Sequence, residues 1–136
     1  MAIESVILSN LIYNEDYTRK VLPYLKEEYF SSQTDRVIYS LINKYINSYN
    51  SLPSKEALAI DLSNLPNVSE DAFKTAKTDI ESLQKDQDTK IDWLLDQTEK
   101  FCQDKAIYNA IMSSIQILDN EVRDTWRWIL VTGFKP

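Results

Sequence analysis

The sequence predicts an all-α fold of about six helices, and three observations carry that prediction. Apolar residues recur at three- and four-residue spacing along most of the chain, and strict period-two alternation is hard to find. Ser or Asn stands at the head of several of these segments, with acidic residues in the turn that follows, which is the chemistry a helix N-terminus needs. The only glycine in 136 residues is Gly133. Folds built on tight glycine turns and phosphate loops are therefore poor candidates, whereas short helix connections need glycine less.

The first helix is predicted from Ile3 to Tyr13, with Ile3, Val6, Ile7 and Leu11 on one face. Asn14 is an N-cap, followed by Glu15 and Asp16, and opens a second helix to about Leu25 in which Pro23 marks a stop or a kink. Ser32 and Asp35 form an S-x-x-D capping pattern ahead of Val37, Ile38, Leu41, Ile42, Tyr45, Ile46 and Tyr49, a continuous apolar stripe. Ser54 caps a helix from Lys55 to about Leu62, and Ser69 caps one from Glu70 to about Gln84. A charged turn follows at residues 85–88.

From Thr89 to about Asn120 the pattern changes to a seven-residue repeat: Leu94, Phe101, Tyr108, Ile115 and Val122, with Ile91, Ile111, Met112 and Leu118 alongside. A heptad seam on one long helix serves either its own core or another subunit. Thr98, Lys105 and Asp119 interrupt the companion row, which argues against a free coiled coil. The tail, from Arg123 to Pro136, holds two of the three Trp and reads as a short extended or strand-like piece. The domain is thus expected over residues 2–120, with 121–136 a linker or residues foreign to it.

Composition excludes much chemistry. Without His, the chain cannot build a Ser/His/Asp or Cys/His nucleophilic site and lacks the commonest zinc ligand. With one Gly it cannot carry either glycine-rich phosphate motif. Neither catalytic residues, nor metal, nor cofactor is expected. Paired carboxylates remain, as Glu27 with Glu28, Glu70 with Asp71, and Asp86 with Asp88, but each pair falls at a helix end or in a turn, where carboxylates cap and solvate. The lone Cys102 lies within an amphipathic pattern and reads as a small buried hydrophobe.

The net charge of −6 opposes autonomous tight binding to a phosphate backbone, and no basic strip interleaves with the eight Tyr and three Trp. No stretch nears the roughly 18 apolar residues of a spanning helix, and the N-terminus lacks a basic signal-peptide start, so a cytoplasmic location is expected.

Several segments carry a family likeness. They are Glu4 to Asn14 (ESVILSNLIYN), Val21-Leu22-Pro23-Tyr24, Glu28-Tyr29-Phe30, Ile38-Tyr39 with Ile42, and Leu52-Pro53-Ser54 before Leu58. In that order and spacing they resemble the opening of DnaB-type replicative DNA helicases, with a closer likeness to those of large tailed bacteriophages. The likeness continues more loosely through Trp93-Leu94, Thr98 to Lys100 and Ala106 to Ala110, covering about residues 2–118.

What the resemblance implies is an all-α domain with a globular helical part and a long C-terminal helical hairpin through which subunits pair, forming a collar on a hexameric ring of motors. The hairpin would map to about Glu70 to Asn120, and Leu94, Phe101, Tyr108 and Ile115 would be the self-association residues. The implied role is non-catalytic: hexamer organisation and primase recruitment at the fork, with a helicase loader as a further partner. The alternative is a stand-alone helical phage regulator that mimics or caps such a collar; a carboxylate-dependent enzyme is a third reading.

Overall fold

The computed structural model describes residues 2–86 and 88–132. Among them are six α-helices and no strand: α1 (Ile3–Tyr13), α2 (Glu15–Val21), α3 (Gln33–Tyr49), α4 (Lys55–Ser63), α5 (Glu70–Ser82) and α6 (Ile91–Thr132), with one turn of 3-10 helix at Glu27–Tyr29. By packing, the chain divides into two units, residues 1–102 and 103–136.

The caps form as the residue chemistry requires. Asn14 accepts from the Tyr17 amide, Ser32 from Asp35, Ser54 from Ala57 and Ser69 from Ala72, each satisfying a donor that the first helical turn leaves without a partner. The helix α2 ends at Val21, two residues before Pro23, earlier than the expected Leu25. Left-handed backbone is taken by Asn50, closing α3 at φ 52°, and by Asn67 at φ 63°. Asparagine is the residue after glycine that tolerates this region best, so these connections do without glycine. Replacing Ser32 by Ala should lower stability by about 1 kcal/mol, read as a shift in the urea midpoint at unchanged slope.

The core lies in the first unit. Helix α1 is buried on most sides, through Ile7, Leu8, Leu11 and Ile12. The same core takes in Tyr17 and Val21 of α2, Ile38 and Ile42 of α3, Leu58 and Leu62 of α4, Ile80 of α5, and Leu94 and Phe101 from the start of α6. The segment joining α2 to α3 is held by three contacts: the Tyr39 hydroxyl donates to the Leu25 carbonyl at 2.9 Å, Arg36 Nε donates to the Phe30 carbonyl at 2.7 Å, and the Phe30 ring stacks on Tyr39 at 5.1 Å. Among the described residues, every buried side-chain nitrogen and oxygen has a hydrogen-bond partner. Asn10 donates to the Val6 carbonyl, and the Thr18 hydroxyl lies 2.9 Å from the carbonyls of Leu11 and Asn14.

One sequence expectation needs correction. Where a strand-like tail was expected, Arg123 to Thr132 continue α6 as helix; residues 133–136 lie outside the described residues. With Gly133 as its sole glycine and no Pro before Pro136, the segment holds no helix breaker up to Thr132, and isolated Trp and Ile are no obstacle to a helix already propagating. Helix α5 packs on α3 and α4 within the first unit. Its apolar residues, Ala76 and Ile80, are consumed by that core.

Candidate protein interaction surface

Helix α6 carries two kinds of apolar residue. Its first part supplies Leu94 and Phe101, which are 1% and 6% exposed. The Phe101 ring lies 5.6 Å from Phe30. Between them, Thr98, which breaks the companion row of the heptad, is a core residue with its polar atom satisfied. Its hydroxyl donates to the Leu94 carbonyl at 2.7 Å and lies 2.6 Å from the Tyr17 hydroxyl. With its one proton committed to Leu94, Thr98 accepts, and Tyr17 donates.

In the second unit the same repeat is exposed: Tyr108 by 59% and Ile115 by 52%. The four residues expected to form a pairing seam thus fall into two environments, Leu94 and Phe101 inside the core and Tyr108 and Ile115 open to solvent. The exposed pair belongs to a wider face. At 100° per residue, Ile111, Met112, Leu118 and Val122 fall within one stripe with Tyr108 and Ile115, and all are exposed. Trp126, also exposed, lies about five full turns beyond Tyr108 and so on the same line. The strand-like reading of the tail hid it; extending the helical period past Asn120 would have found it. Ile117 and Trp128 point elsewhere on the helix. An apolar face this continuous is uncommon on the surface of a soluble monomer. Within it, Asp119 is paired with Arg123 at 2.9 Å, an exposed i,i+4 bridge that orients the carboxylate.

No comparable chemistry appears elsewhere among the described residues. No group of three or more His, Cys, Asp or Glu is placed to hold a metal ion. Asp86 Oδ1 accepts from the Asp88 and Thr89 amides, and the Thr89 hydroxyl is the main cause that holds its carboxyl below the usual range. Glu70 reaches Lys74 of its own helix at 3.6 Å. These carboxylates close turns and helix ends. Burial pushes the Cys102 thiol up, away from the thiolate that nucleophilic chemistry needs. A cleft between α2 and the end of α3 is lined by Leu22, Pro23, Ile46 and Leu52, with the exposed Glu15–Arg19 bridge at its rim. No described helix is long and apolar enough to cross a membrane.

The fold is an all-helical domain, and its most distinctive feature is an exposed apolar helix face. No family model matches the chain. Over 115 residues it is 37% identical to the DnaB-like replicative helicase of Enterobacteria phage T4, a match that takes in 85% of this chain and 24% of the relative. The chain is therefore related to phage DnaB-like replicative helicases, as the resemblance implied, and spans about a quarter of the length of that relative.

Proposed function

We propose that this chain is the non-catalytic assembly and docking domain of a phage replicative DNA helicase, with the collar over residues 2–120. It pairs with further copies through the exposed face of α6, organises the hexamer, and offers its remaining surface to primase and a helicase loader. The observation that supports this is the continuous run of exposed apolar residues from Tyr108 to Trp126 in a chain related to a replicative helicase.

The energetics fit a contact that is weak in isolation. Burying one large apolar side chain contributes roughly 1.5–3 kcal/mol, while association costs about 4–15 kcal/mol in lost freedom. A face of six or seven partly buried residues leaves a small surplus, which a ring of tethered copies would amplify through effective concentration. Sedimentation of the chain at rising concentration should reveal self-association. Replacing both Tyr108 and Ile115 by Asp should abolish it with helix content intact. Association that survives this double change would place the contact elsewhere.

A further inference from the structure

We draw no further inference here: the strongest candidate, the cleft between α2 and the end of α3 lined by Leu22, Pro23, Ile46 and Leu52, carries none, because nothing in the structure shows what covers it.

Discussion

Phe101→Ala is expected to lower the unfolding free energy by about 3–5 kcal/mol, while Tyr108→Ala, one heptad later on the same helix, should change it by less than about 0.5 kcal/mol. The contrast follows from burial. Phe101 is almost fully enclosed and lies against Phe30, itself fully buried and stacked on Tyr39, so truncation opens a cavity among three rings. Tyr108 is exposed and gives up no core contact of that kind. Urea unfolding followed by circular dichroism, at a concentration low enough to avoid association, would measure both. Equal losses for the two variants would mean that the first part of α6 is not anchored in the core as described.

Alkaline unfolding should be governed by two tyrosines. Burial raises Tyr39 from the ordinary 10.0 to about 12, and pushes Tyr17 up more strongly still. A phenol with a raised folded pKa keeps its proton after the unfolded chain has lost it. Its contribution to stability is therefore complete below pH 10 and declines as pH rises from there toward the folded value, reached near 12 for Tyr39. Within that window each such group removes roughly 1.4 kcal/mol per pH unit. The combined slope is steep for a small domain, whose whole stability is about 5–15 kcal/mol. Tyrosinate absorbance from these two residues should thus appear together with the loss of helicity. In Tyr17→Phe the alkaline transition should move to higher pH relative to that variant's own neutral stability. An unchanged alkaline slope in this variant would show that Tyr17 ionises in the folded state.

The helices were legible in the sequence because their causes are local. A Ser or Asn oxygen reaches an amide three residues on, and 3.6-residue spacing turns apolar side chains to one face, so Asn14, Ser32, Ser54 and Ser69 mark starts that need no knowledge of the rest of the chain. The relation to phage replicative helicases was legible for a similar reason, in the order and spacing of short segments from Glu4 to Leu58.

The allocation of α6 was decided only in three dimensions. Leu94, Phe101, Tyr108 and Ile115 are equivalent in the repeat, and nothing local separates the first two from the last two. What separates them is whether another element reaches that turn. Tyr17, 81 residues away from Thr98, hydrogen-bonds to it between Leu94 and Phe101, and Phe30 packs on Phe101. Tyr108 and Ile115 remain exposed. By itself the sequence determined that α6 would form and which of its faces would be apolar, because both depend on spacing along one chain. Which stretch of that face becomes core and which remains open to another molecule depended on tertiary packing, because burial is a property of neighbours distant in sequence.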